Sequence, residues 1–139
     1  MLRKLYVTTK AYGGQWEIVD GKRKLSGGHP ILIGILTELE KERYRFEYKT
    51  GGCNVFRLMI NEFPDVAKVY SDYEVDKFIY RIIPRPDKMY VGGIMKRHDI
   101  AEYDVWRLLV ACGKSGVHDD AYLYEELPIG TRQLPAQII

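Results

Sequence analysis

The sequence predicts an α+β domain: a small, mostly antiparallel sheet from the N-terminal half of the chain, packed against about three helices from the C-terminal half. Two observations predict it. Up to Ile60 the apolar residues recur at period two and are broken by glycine pairs, whereas from Phe63 onward they recur at helical spacing and are broken by prolines. No internal repeat, low-complexity tract or linker separates the halves, so residues 1–139 are read as one domain with one core, and 128–139, which has no usable period, as an irregular or flexible tail.

In chain order, Gln15 to Val19 sets Trp16 and Ile18 on one face of a strand that follows Gly13 and Gly14. Gly21 to Lys24 reads as an exposed charged turn. Ile31 to Leu39 is apolar on both faces, as a central strand covered on both sides along part of its length requires. Arg43 to Lys49 alternates cleanly, with Tyr44, Phe46 and Tyr48 on one side and Arg43, Arg45, Glu47 and Lys49 on the other; it predicts an antiparallel partner for the preceding strand across a charged turn at Glu40 to Glu42. Gly51 and Gly52 precede a further short strand at Val55 to Ile60.

After the turn at Phe63 to Asp65, Val75, Phe78, Ile79 and Ile82 stand at i, i+3, i+4 and i+7, which predicts an amphipathic helix begun near Glu74, capped by Ser71 or Asp72 and stopped by Pro84 and Pro86. A second helix is expected from a cap at Asp87 through Met95, with Gly92 and Gly93 in its interior, each costing about 1 kcal/mol relative to alanine. A third is expected from an Asp99–Glu102 capping box to Cys112. Ala121 to Leu127 is read as an edge strand.

With 46% hydrophobic and 29% charged residues in 139, the composition is that of an ordinary globular domain able to bury a core without staples. No apolar run approaches the roughly 20 residues of a membrane span. Thr8, Thr9 and Lys10 interrupt the place where a secretory signal needs its apolar stretch, and the two cysteines, Cys53 and Cys112, lie far apart, so a cytoplasmic protein without a disulfide or metal framework is expected. A net charge of +2 does not announce nucleic acid, and the small basic clusters Lys22, Arg23, Lys24 and Lys96, Arg97 suit a solvated turn and a helix C-terminus.

The sequence Gly113-Lys114-Ser115 ends like a phosphate-binding loop. That loop needs a glycine five residues before the Gly-Lys pair and a strand leading in, yet Leu108 occupies the position and Tyr103, Trp106 and Val110 lead in at helical spacing. A helix end is therefore expected at Gly113. His118, Asp119 and Asp120 have the donor chemistry of a metal or acid/base site but are adjacent in sequence, and His29 and His98 add no completing spacing, so a solvated turn, no metal and no catalytic residue are expected. Trp106 could anchor a partner, but Leu109 and Val110 at i+3 and i+4 favour core packing. The eleven tyrosines raise the possibility of a base-stacking platform; the alternation of Arg43 to Lys49 argues against one there, because it sends aromatics and cations to opposite faces.

Val75 to Gly116 resembles the N-terminal subdomain of HipA-type serine/threonine kinases. Phe78, Ile79 and Arg81 precede Pro84; Ile94, Lys96 and Arg97 end the second helix; Trp106, Leu108 and Leu109 precede Gly113 and Lys114. Upstream, Ile33, Gly34 and Leu36 are similar to the family's Val-Gly-x-Leu strand, and Tyr44, Phe46 and Tyr48 to its Tyr-x-Phe-x-Tyr strand. A similar module precedes some bacterial HIRAN domains, where an Arg-Pro-Asp like Arg85, Pro86 and Asp87 recurs. The likeness spans roughly residues 31–125 and departs from the family after Gly116.

In the full kinases the nucleotide loop, catalytic aspartate and magnesium-binding residues follow this subdomain, and none of them occurs in the present chain. The resemblance thus implies a bacterial, non-catalytic regulatory subunit without a cofactor, which binds a HipA-like kinase in a split toxin–antitoxin-type system. It further implies a docking surface on the helical half, with Ile94, Met95 and Trp106 as apolar contributors and Arg97 and Lys114 at the rim. The alternative is a nucleic-acid-binding accessory domain, which requires Lys22, Arg23, Lys24, Lys96 and Arg97 to converge.

Overall fold

A computed structural model describes residues 2–9, 15–26, 30–49, 60–114 and 121–132. Five strands, β1 (Lys4–Thr8), β4 (Leu32–Glu40), β5 (Arg43–Tyr48), β6 (Tyr70–Ser71) and β7 (Tyr122–Tyr124), form an antiparallel sheet of order β6-β5-β4-β1-β7. A separate hairpin joins β2 (Gln15–Val19) to β3 (Lys22–Ser26). Three helices follow the first six strands: α1 (Tyr73–Ile82), α2 (Val91–Arg97) and α3 (Val105–Cys112). The expected α+β class, sheet first and helices second, is what the chain adopts.

The alternation of β5 places Tyr44 and Phe46 in the core, and β4 lies at the centre of the sheet, paired to β1 and β5. Gly34 explains one feature of this packing. A Cβ there would lie 2.5 Å from the Phe46 ring and from the Glu47 carbonyl, so the absent side chain is what admits the ring. Phe46 in turn stacks on Phe63 with centroids 4.4 Å apart. Val75, Phe78 and Ile79 of α1 and Leu108 and Leu109 of α3 close the same cluster over Leu5, Val7 and Leu36. Two core phenols hold the loop that carries Phe63: the Tyr48 hydroxyl donates to the Phe63 carbonyl and accepts from Ile60 N–H (3.0 Å), and the Tyr70 hydroxyl accepts from Asp65 N–H (2.7 Å).

Several boundaries differ from the sequence expectation. Lys22 to Lys24 lie in β3 and are not a turn; the turn is Asp20-Gly21, whose φ values of 52° and 76° give the two-residue hairpin its twist. In that hairpin Ile18 is 79% exposed. β1, unforeseen, hides Leu5 and Val7 completely. Helix α2 begins at Val91 and not at Asp87, which puts Gly92 and Gly93 in its first turn. Asp99 does not cap α3: with φ 58° it closes the end of α2, while Asp104 caps α3 by accepting from Arg107 N–H at 3.2 Å. Asp72 precedes α1 without a side-chain cap and instead accepts from Arg43 Nε at 3.2 Å. The start of the presumed tail is tied down, since Arg132 N–H donates to the Pro30 carbonyl and Leu32 N–H to the Arg132 carbonyl. The strand expected at Val55 to Ile60 and the triplet His118 to Asp120 lie outside the described residues, except for Ile60, which is buried ahead of a turn. No helix among the described residues is long and apolar enough to cross a membrane.

Candidate partner-binding face

Helix α2 is the least embedded of the three helices. It contains no fully buried residue, and only Ile94 and Met95 lean, half-buried, on the core. Its sequence accounts for this: Gly92, Gly93, Lys96 and Arg97 leave the seven-residue helix with one short apolar edge. The chain then turns sharply at Asp99, and Ile100 drops into the core to start the approach to α3.

Three depressions lie on α2 and at the turn that follows it. The largest, about 610 Å³, lies between α3, the α2–α3 turn, the start of β1 and the end of β7, with Ile100, Trp106, Val110 and Ala111 supplying apolar surface and Arg3, His98, Asp99, Arg107, Lys114 and Glu125 supplying polar groups. A second, about 510 Å³, lies between α1 and α2; Ile94 and Arg97 line it with Ile83, Pro84, Tyr90 and Cys112. The two share His98 and Ala111 in their linings, so the trough beside α3 and the recess between α1 and α2 abut at these residues. Met95 lines neither; it borders a third recess with Lys96, Ile100 and Ala101.

The five residues expected at a docking surface are sorted into three recesses, Trp106 and Lys114 in the first, Ile94 and Arg97 in the second and Met95 in the third. Arg97 and Lys114 are exposed, as rim residues are. Trp106 is only 7% exposed and belongs to the core, in keeping with its apolar i+3 and i+4 neighbours, and contributes only its lining edge to the trough. The Arg3 guanidinium lies 4.5 Å from the Trp106 ring centroid and is fixed there by a two-pronged pair with Glu38, at 2.8 and 2.9 Å. Among the described residues Arg107, Lys114, Asp99 and Glu125 make no ion pair, so the trough carries unpaired charges of both signs beside that fixed pair.

Sequence reasoning missed Arg3, His98, Arg107 and Glu125. Arg3 and Glu125 reach the trough only through the pairing of β1 with β4 and β7, which no local pattern encodes. Arg107 was legible as the polar position beside Trp106 on an amphipathic helix. The basic residues that a nucleic-acid reading needs together lie on separate elements, Lys22 to Lys24 in the β2–β3 hairpin and Lys96 and Arg97 at the end of α2.

Burial pushes the Cys112 thiol up from its ordinary value, Arg97 opposing only in part, so the neutral and weakly nucleophilic form is favoured. Tyr103 is likewise raised by burial, its hydroxyl donating to the Pro84 carbonyl at 2.7 Å to brace the turn between α1 and α2. Among the described residues no three His, Cys, Asp or Glu side chains gather as a metal site. Gly113 ends α3, its N–H donating to the Leu109 carbonyl, and a Cβ there would lie 2.5 Å from the Leu123 Cβ; the glycine is required by the close approach of β7. Compared with protein-family models, with curated proteins and with solved structures, the chain matches none of them.

Proposed function

We propose that this protein is a non-catalytic regulatory module of the cytoplasm that docks through the α2–α3 trough on a HipA-like kinase and acts as the N-terminal subdomain which that kinase lacks. The observation that carries the reading is the exposure of α2, a helix with two half-buried apolar residues, Ile94 and Met95, each lining a recess, with the exposed Arg97 beside Ile94 and a further recess at the α2–α3 turn that Arg107 and Lys114 line. Apolar floor with cationic rim is the anatomy of a protein interface more than of a catalytic cleft. The order of elements also agrees with the resemblance: α1 ahead of Pro84, α2 ending in Lys96 and Arg97, α3 carrying Trp106, Leu108 and Leu109 ahead of Gly113.

The reading is tested by co-expressing the protein with a HipA-like kinase that lacks its own N-terminal subdomain and passing the mixture over a sizing column. We expect co-elution, and a change in the toxicity of the kinase. Separate elution, with toxicity unchanged, contradicts the proposal.

A further inference from the structure

The recess between α1 and α2 differs in charge from the trough beside α3. Ile82, Ile83 and Pro84, at the end of α1, are buried and form its floor. Ile94 of α2 and Cys112 of α3 stand half-buried in its walls, and Tyr90, Arg97 and His98 are exposed at its mouth. Among the described residues no acid lines it, whereas Asp99 and Glu125 both line the trough. Two guanidinium groups face the recess. Arg81 is taken up by Glu62, to which its Nε and Nη2 donate at 2.6 and 2.9 Å. Arg97 makes no ion pair among the described residues, and its charge is felt at the Cys112 thiol in the wall.

We infer that this recess binds a small monocarboxylic acid with an apolar tail, the tail lying on Ile83, Pro84 and Ile94 and the carboxylate on Arg97. The volume of about 510 Å³ is within the range of small-molecule sites, and an apolar cavity with a few polar groups at one end is how such sites are built. Charge sets the head group: one uncompensated guanidinium answers one carboxylate, through two parallel hydrogen bonds, and a neutral or cationic ligand would leave it unanswered. The floor sets the tail. Its aliphatic side chains offer no hydrogen bond, so a peptide inserted there would carry unpaired amides at a cost that an alkyl chain does not incur. The inference is independent of the kinase reading, because it is tested on the isolated protein.

The test is isothermal titration of the full chain with butanoate, hexanoate and octanoate, with octanamide as the neutral isostere of the last and N-acetyl-leucyl-leucine as a peptide carboxylate. We expect a dissociation constant below about 1 mM for octanoate, and an affinity that rises with chain length by up to about 4-fold per methylene. Octanamide should bind at least about 5-fold more weakly than octanoate. Arg97→Gln should erase that difference, and Ala111→Leu, which enlarges the wall of the recess, should weaken both ligands. No heat from octanoate up to about 10 mM overturns the inference, as does equal binding of octanoate and octanamide by the wild type. A preference for octanoate that survives in Arg97→Gln, or tighter binding of the peptide than of octanoate, overturns it as well. Arg97 is exposed, so its variant decides the matter even if Ala111→Leu fails to fold.

Discussion

Trp106→Ala separates a structural ring from a docking ring. The side chain is 7% exposed, with α3 behind it and the Arg3 guanidinium over its face. A buried tryptophan removes about 150–250 Å² from water, and at ~25 cal/mol/Å² that corresponds to roughly 4–6 kcal/mol. The figure is an upper bound, because the unfolded chain already shields part of that area. Measured truncations of large core aromatics cost about 3–5 kcal/mol, and we expect this range for Trp106→Ala. In a domain of this size it lowers Tm by about 10–20 °C. Trp106→Phe keeps most of the apolar contact and should cost about 1–2 kcal/mol. The assay is urea denaturation followed by far-UV circular dichroism, with a thermal melt alongside. A cost for Trp106→Ala below about 1 kcal/mol would refute the packing argument and return the ring to the interface.

Four further outcomes follow from the same geometry. Gly113→Ala drives a methyl group into Leu123 and should destabilise by about 1–3 kcal/mol in a thermal melt, while neither it nor Lys114→Ala alters ATP affinity by calorimetry. Asp104→Ala removes the cap of α3 and should cost about 1 kcal/mol by urea titration, whereas Asp99→Ala keeps that cap and loses only a side chain tolerant of positive φ. Tyr48 is pushed up to about 12 by burial, so its neutral form is favoured in the folded state; stability from this group is complete below about pH 10 and is lost as the pH rises from there through about 12, which an alkaline titration of Tm should show and Tyr48→Phe should reduce. Gly34→Ala should perturb the Phe46 ring and lower Tm more than Gly92→Ala, whose methyl group meets open space.

The regular elements were legible where local periodicity and burial coincide. The alternation around Phe46 and the i, i+3, i+4, i+7 set from Val75 to Ile82 each point one face at the core, and that face is buried. The errors have a common physical origin. Asp87, Asp99 and Asp104 all have the chemistry of a cap, and only the path of the chain decides which acid meets a free N–H. β1 is hard to read in the sequence because the alternation of Leu5 and Val7 is short and flanked by basic residues. The recesses were half legible: Ile94, Met95 and Arg97 are local to one helix, but Arg3 over Trp106 and Glu125 in the same recess as Lys114 come together only when β1 and β7 pair. Cross-strand neighbours are fixed by tertiary pairing, and Tyr6 and Tyr124 carry no mark of each other in sequence.

The claim that α2 is the docking helix is tested most directly by isothermal titration of the protein into a HipA-like kinase lacking its N-terminal subdomain, comparing the wild type with Ile94→Glu and Met95→Glu, whose side chains are only half-buried and whose loss the isolated fold should tolerate. The account expects wild-type binding that changes little between about 50 and 200 mM salt, because apolar burial supplies most of the affinity, and a loss of at least about 10-fold in each variant while far-UV circular dichroism shows it still folded. Undiminished binding by both folded variants, or no binding by the wild type at either salt concentration, would contradict it.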